Sequence, residues 1–375
     1  MNITSETIAP LTLNLKLEIT EDDYKNNLKK TLNDYQRKAN IPGFRPGKVP
    51  LGMIQKMYGK ALLSEELNKI VSEQLEKHIT DNKLQVLGHP IPSQHNDVAD
   101  LDTQVDFTFQ FEVGLKPEFQ LDLSTVKATA HQITVGDEMV QKSVDNILDR
   151  FKEGDTVPEL NQDLFDKVYG KDAVKSEAEL RERIRQDGEK MYQREADRKF
   201  AQDAKEAVVE ATSIELPDDF LKRAWILSAN QEGKETLTQE QADADYPKYQ
   251  AAVKWQLIEN KITTDNNIQI TKNDVKDYYI TNVISQYFPI PTDEEGKQRF
   301  SDFAERMMGN QQESHRFYEA VFQDKIMDVV RNTIQVTTQK IDFDDFVNIL
   351  KKQYDKDNDV AEATPAQNPE IKKED

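Results

Sequence analysis

The chain has 375 residues, room for two or three domains, yet only 37% are hydrophobic and 31% are charged, with a mean hydropathy of -0.77. So lean a core predicts many solvated faces, and an elongated or arm-bearing molecule rather than one compact globule. The 49 basic and 69 acidic side chains leave a net charge of -20, which argues against whole-surface attraction to nucleic acid, and the lack of cysteine excludes disulfides, thiolate catalysis and Cys-ligated metals.

No window approaches the roughly 18 consecutive apolar residues of a spanning helix. Residues 1–10 (MNITSETIAP) carry neither the basic nor the apolar region of a secretory leader, so the expected location is the cytoplasm, without a membrane partner. Residues 11–19 (LTLNLKLEI) alternate, with Leu11, Leu13, Leu15, Leu17 and Ile19 on one face of a half-buried strand, and residues 105–113 (VDFTFQFEV) repeat the pattern with Val105, Phe107, Phe109, Phe111 and Val113 inward. Because the opposite faces are polar, the two should pair antiparallel in one sheet. Between them Thr20 can cap a helix whose first turn is Glu21, Asp22 and Asp23 and whose stripe is Tyr24, Leu28, Leu32, Tyr35 and Ala39. Ile41-Pro42-Gly43 ends it, and Pro50 suits the start of a short helix to about Tyr58. A second long helix should follow, with the stripe Leu67, Ile70, Val71, Leu75 and Ile79, and then a short strand over Leu84 to Leu87 leading into His89-Pro90-Ile91-Pro92.

Ala128 to Val135 reads as extended and Asp137 to Phe151 as an amphipathic helix, a linker or shoulder element. Beyond the break at residues 153–158, no run to about Tyr354 alternates over strand length. The second half should be helical, punctuated at Glu215-Leu216-Pro217, Tyr246-Pro247, Gln269-Ile270-Thr271 and Pro289-Ile290-Pro291. Residues 355–375, poor in apolar groups, are expected to be a disordered tail.

Motifs for catalysis are wanting. His78, His89, His95, His131 and His315 are scattered without a ligand spacing, and no GxGxxG, phosphate loop or GxSxG occurs. Asp355, Asp357 and Asp359 begin like a calcium loop, but Val360 and Ala366 stand where glycine and a bidentate Glu are needed. Asp342, Asp344 and Asp345 read as helix-start caps. No catalytic residue, metal or cofactor is implied.

One segment departs from the acidic balance. From Tyr35 to Ser64 there is no Asp or Glu, while Arg37, Lys38, Arg45, Lys48, Lys56 and Lys60 supply six positive charges. At its centre lies Gly43-Phe44-Arg45-Pro46-Gly47-Lys48-Val49-Pro50, a rigid basic loop between two helices. Phe44 beside Arg45 combines an apolar anchor with a guanidinium fork, a pairing enriched at binding hot spots and able to bind phosphate. The plain alternative is a solvated turn with Phe44 folded onto the helices.

GFRPGKVP, preceded by Tyr35, Ala39 and Asn40 and followed by MIQKMYG, resembles the ribosome-docking loop of the bacterial trigger factor family. The flanking strands, the Ile133 to Phe151 shoulder and the helix start ELPDDFLKR (Glu215 to Arg223) fall in that family's order. Two departures stand out. The family's tip is usually Phe-Arg-Lys, whereas Pro46 occupies the third place here, and the chain passes from Phe151 to Pro158 where the family usually inserts an FKBP-like prolyl isomerase domain. The resemblance implies an α+β chain. It would comprise a sheet-plus-helices ribosome-binding domain at 1–113, a linker at 114–152, an all-helical substrate-binding domain with arms at 153–354, and the tail.

The implied function is an ATP-independent, ribosome-associated chaperone that holds nascent polypeptides at the tunnel exit. Its partners would be the large ribosomal subunit, through a tunnel-exit protein and rRNA, and unfolded chains, with a homodimer left open off the ribosome. Rival readings are a cytosolic peptidyl-prolyl isomerase, which needs the missing domain, and a SurA-type periplasmic chaperone, which needs a leader. Within the charged second half, Tyr278-Tyr279-Ile280, Tyr287-Phe288-Pro289 and Met307-Met308 are the densest adaptable apolar groups and the candidates for substrate contact, with helix-core packing as the competing reading.

Overall fold

The computed structural model describes residues 1–362 apart from 46, 95, 97–99, 102, 153, 155, 232–236, 289, 292 and 310. Pro46, His95, Pro289 and the last part of the expected tail, 363–375, therefore lie outside the described residues. In chain order the elements begin with β1 (Asn2–Ala9), β2 (Thr12–Ile19), α1 (Glu21–Lys38), α2 (Leu51–Asp81), β3 (Val86–Pro92) and β4 (Phe107–Leu115). They continue with β5 (Lys127–Thr134), α3 (Asp137–Arg150), α4 (Gln162–Tyr169), α5 (Glu177–Ala211), α6 (Asp218–Gln231) and α7 (Gln239–Asp265). The last are α8 (Lys272–Asn282), α9 (Glu294–Met307), α10 (Gln311–Thr333), β6 (Gln335–Asp342) and α11 (Phe343–Glu362).

The chain forms two compact units that follow packing rather than chain order: Met1–Phe119 with Ile214–Gln250, and Gln120–Ser213 with Ala251–Asp375. The boundaries expected at 113 and 152 place α6 in the helical domain, whereas it groups with the first sheet.

The first unit holds an antiparallel sheet in the order β1-β2-β4-β3. In the β2–β4 register Leu13 faces Val113, Leu15 faces Phe111, Leu17 faces Phe109 and Ile19 faces Phe107, so the two apolar stripes lie opposite each other as alternation predicts. Leu15, Leu17, Ile19, Phe107 and Val113 are buried against Leu63, Leu67, Ile70, Val71 and Leu75 of α2 and Tyr24 of α1. The start of α1 is fixed as expected: the Thr20 N–H donates to Asp23 Oδ2 at 2.8 Å. Val105 is exposed and precedes β4.

Three features of this unit differ from the sequence reading. β1 is an unannounced edge strand, joined to β2 through Leu11 at φ 57, and the expected pair of helices after Pro50 is one helix of 31 residues. Glycine at 59 costs such a helix only about 1 kcal/mol and demands no break, while buried residues continue on either side of it, Ile54 and Leu62 under the loop and Leu67 onward against the sheet. The polar face of the sheet is also covered. Glu112, buried on β4, accepts from Arg223 of α6 through both carboxylate oxygens and from the Ser93 hydroxyl at 3.1 Å. A Cβ at Gly114 would stand 2.6 Å from the Phe220 ring, so glycine there is what lets α6 lie flat on the strand.

In the second unit β5 and β6 pair in parallel, from Lys127 opposite Gln335 to Thr134 opposite Asp342. β6 is a strand in a stretch read as helical. Its QVTTQKID has no apolar face, and its pairing is with a segment about two hundred residues earlier. α5 packs along β5, and Gln193 accepts from the Ile133 N–H at 3.4 Å while donating to the His131 carbonyl at 3.1 Å. One core joins α3, α4 and α5 through Val140, Val144, Phe165, Leu180 and Ile184, and another joins α8, α9 and α10. Pro247 lies inside α7 rather than ending a helix. α11 extends to Glu362, so residues 355–362 are helical rather than disordered. Asp342 caps the start of that helix by accepting from the Asp344 N–H at 3.1 Å.

Candidate functional site

The loop between α1 and α2 is built by glycine geometry and one buried anchor. Gly43 and Gly47 sit at φ 91 and φ 74, a region that disfavours side chains, and a Cβ at Gly47 would also stand 3.4 Å from the Arg37 carbonyl oxygen. Two turns follow each other: the Phe44 N–H donates to the Ile41 carbonyl at 3.1 Å and the Lys48 N–H to the Arg45 carbonyl at 2.9 Å. The base is pinned where Gln36 Nε2 donates to the Val49 carbonyl at 2.5 Å. Val49 is fully buried with Leu32, Ala39, Ile54 and Leu62, and Ile41 and Tyr58 pack on the same cluster. The Tyr35 and Tyr58 rings meet at a tilt of 46°, with centroids 4.6 Å apart. Val49 is therefore the loop's foot and not a contact residue, while Phe44, 37% exposed, and Arg45 and Lys48 stand at the tip.

The sequence-predicted cations converge on this end of the α1–α2 hairpin. Arg37 and Lys38 occupy the last turn of α1, where they favour its C-terminal dipole, and Arg37 pairs with Asp34 at 3.4 Å. Lys56 and Lys60 lie in the first turns of α2, which alone among the α-helices of the described residues opens without an acidic residue in its first turn. Among the described residues neither Arg45 nor Lys48 has an ion-pair partner, so the tip offers its charge outward.

The substrate candidates of the second half separate. Tyr279 is buried with Phe317, ring centroids 4.8 Å apart, and Tyr278, Ile280, Met307 and Met308 pack against the same core. Tyr279 is thus a core residue, whereas the other four are only partly buried on that core, and Tyr278 also lines a groove between α5 and α10. Tyr287 and Phe288 are 76% and 62% exposed, with Ile290 and Phe303 exposed nearby in sequence. They follow Ile284, which is buried and anchors the turn after α8. That helix starts in a capping box in which Thr271 N–H donates to Asp274 Oδ2 at 2.7 Å, and Lys325 pairs with the same carboxylate at 2.9 Å. The backbone N–H and the Lys325 ammonium hold the Asp274 carboxyl down at about 2.

Sequence reasoning missed a groove of about 600 Å³ within the second unit, formed by α5, α8 and α10. Arg194, Asp197 and Arg198 line it from α5, and Asp324, Asp328 and Arg331 from α10, with Phe200, Tyr278 and Met327 among them, and Arg331 pairs with Asp197 at 3.7 Å. Burial, and then the neighbouring Asp328, push the Asp324 carboxyl up. No short motif could have signalled this groove, because its residues come from three helices. Among the described residues there is no cluster able to hold a metal ion, and no helix is long and apolar enough to cross a membrane.

Residues 1–147 match the family described as bacterial trigger factor protein, and residues 196–350 match the trigger factor C-terminal domain. The stretch between the two matches, 148–195, is occupied by the end of α3, by α4 and by the first half of α5. Trigger factor of Methylobacillus flagellatus is 32% identical over 149 residues, covering 40% of this chain and 34% of that protein. The Clostridium acetobutylicum trigger factor is 33% identical over 153 residues, again covering 40% and 34%. The matching stretch thus spans about a third of the length of these curated relatives. A solved chain from a study of promiscuous substrate recognition by the trigger factor chaperone superposes with a TM-score of 0.53 at 13% identity, over 88% of this chain and 99% of that one, a likeness of fold.

Proposed function

The chain belongs to the trigger factor family, and from that premise we propose that it is an ATP-independent chaperone that docks on the large ribosomal subunit and holds unfolded polypeptides as they emerge. The observation that carries this reading is the loop tip: Phe44 and Arg45 held outward by two positive-φ glycines, in a segment with six cations and no acid. Such a tip offers guanidinium and ammonium groups to rRNA phosphates and an aromatic ring to a tunnel-exit protein. The cytoplasm is where such a partner resides, and a dimer off the ribosome would be read by sedimentation of the free chain.

Clients are held elsewhere, at apolar groups of the second half that reach the surface. Tyr287 and Phe288, and the mixed groove over Phe200 and Met327, are the surfaces that support this role. Weak apolar contacts within charged surroundings hold a chain without committing it to one sequence. Prolyl isomerisation is not part of the proposal, because the described residues of 148–195 are the end of α3, α4, the first half of α5 and the turns that join them.

Co-sedimentation with large subunits tests the docking. Replacing Phe44, Arg45 and Pro46 together with alanine should abolish it and leave circular dichroism unchanged, and undiminished binding would refute the proposal. An assay on a proline tetrapeptide should give cis–trans exchange at the uncatalysed rate.

A further inference from the structure

The first turns of α2 carry two exposed methionines that the loop does not account for. Met53 and Met57 are 40% and 52% exposed, one helical turn apart, while their neighbours Ile54, Tyr58 and Leu62 face the core beneath the loop. At 100° per residue, positions 53, 56, 57 and 60 fall within an arc of about 100°, so the two thioethers and the Lys56 and Lys60 side chains share one flank. The flank begins three residues beyond Pro50, the end of the loop, and is continuous with it along the chain.

We propose that Met53, Met57, Lys56 and Lys60 form a second docking surface beside the loop, and that its partner is a ribosomal protein surface combining an apolar patch with carboxylates. This rests on the docking reading of the loop. Charge complementarity selects the partner's sign, since the flank has cations and the whole segment from 35 to 64 has no acid. The methionines select its class. A thioether gains nothing against a hydrated phosphate backbone, whereas an unbranched, polarisable side chain packs into irregular apolar protein surface. Where Phe44 fixes one point of contact, a second point would set the orientation in which the chain is held.

The test is equilibrium binding to large subunits at 50 and 200 mM salt. Met53→Ser with Met57→Ser should weaken binding about tenfold or more at both salts, leaving the salt dependence and melting temperature as in the parent. Met53→Leu with Met57→Leu should retain parental affinity. Lys56→Gln with Lys60→Gln should weaken binding mainly at low salt. If the serine variant binds like the parent while the Phe44, Arg45 and Pro46 alanine variant loses binding, the second surface is overturned and the loop reading stands. If both bind like the parent, both are overturned. An equal loss toward protein-free ribosomal RNA overturns the assignment to a protein surface.

Discussion

Two tips expose aromatic rings by the same device in different electrostatic surroundings. In the first unit Phe44 projects above a foot of Val49 and Ile54, and in the second Tyr287 and Phe288 project beyond a foot of Tyr279 and Ile284. The first lies in the stretch 35–64, which carries Arg37, Lys38, Arg45, Lys48, Lys56 and Lys60 and no acid of its own, Asp34 pairing with Arg37 at its border, whereas the second runs into Asp293, Glu294 and Glu295 at the start of α9. Exposure of an apolar ring is thus common to both, and the charge around it is what differs. A cationic rim recruits a polyanionic partner and raises its encounter rate, while an acidic rim repels that partner and leaves the ring for other polypeptides.

Reciprocal variants should separate the two tips most sharply. The Phe44, Arg45 and Pro46 alanine variant should lose ribosome binding and keep its suppression of aggregation of a free unfolded protein; Tyr287→Ala with Phe288→Ala should do the reverse. If all six cations meet phosphates, parental affinity should fall roughly 10³-fold between 50 and 200 mM salt. Equal losses in both assays from either variant would show that the tips act as one surface and break the comparison.

The feet should behave alike where the tips differ. Ile54→Ala and Ile284→Ala each remove a buried side chain and should cost about 2 to 5 kcal/mol in denaturant unfolding. Phe44→Ala and Phe288→Ala should each stay within about 0.5 kcal/mol of the parent, as surface substitutions do. A large cost at Phe288 would place that ring in the core and return it to the group of Tyr278, Met307 and Met308.

How much of this was legible in the sequence depended on whether the determinant was local. The alternating runs of β2 and β4, the capping box of α1 and the glycine-bounded loop are specified by residues within a few positions of one another, and the structure has them in place. The cover on the sheet's polar face was not legible. It depends on Arg223 meeting Glu112 and on Phe220 lying over Gly114, contacts between segments about a hundred residues apart whose β4 members look like ordinary outward positions. β6 was hidden for the same reason, since its stability lies in backbone pairing with β5. Gly59 and Pro247 misled in the opposite sense: each lowers local helix propensity, and each is overridden by packing on either side. Aromatic density at 278–280 could not distinguish core from surface, because helical spacing only fixes which residues share a face.

The smallest expected effect is the pH dependence of the cap behind the second tip. The helix that supports Tyr287 begins at a cap whose carboxylate, Asp274, is held at about 2 in the folded state, well below its ordinary value of 3.8. A depressed carboxylate contributes stability that is complete above its unfolded value and is lost as pH falls through the folded one. That window runs from about pH 4 down to about pH 2. The foot of the loop uses valine, isoleucine and leucine, although α1, which leads to it, opens on a Thr–Asp cap whose Asp23 carboxyl is also lowered. Asp274→Ala should therefore lower the melting temperature near pH 6 by about 2 to 4 °C, the size expected from losing a cap worth about 1 kcal/mol in a domain of this length. The gap between variant and parent should close as pH approaches about 2, where the parent's carboxyl is itself protonated. A gap that persists unchanged at that pH would assign the cap's contribution to packing of the side chain rather than to its charge, and would remove the acid sensitivity expected behind the second tip.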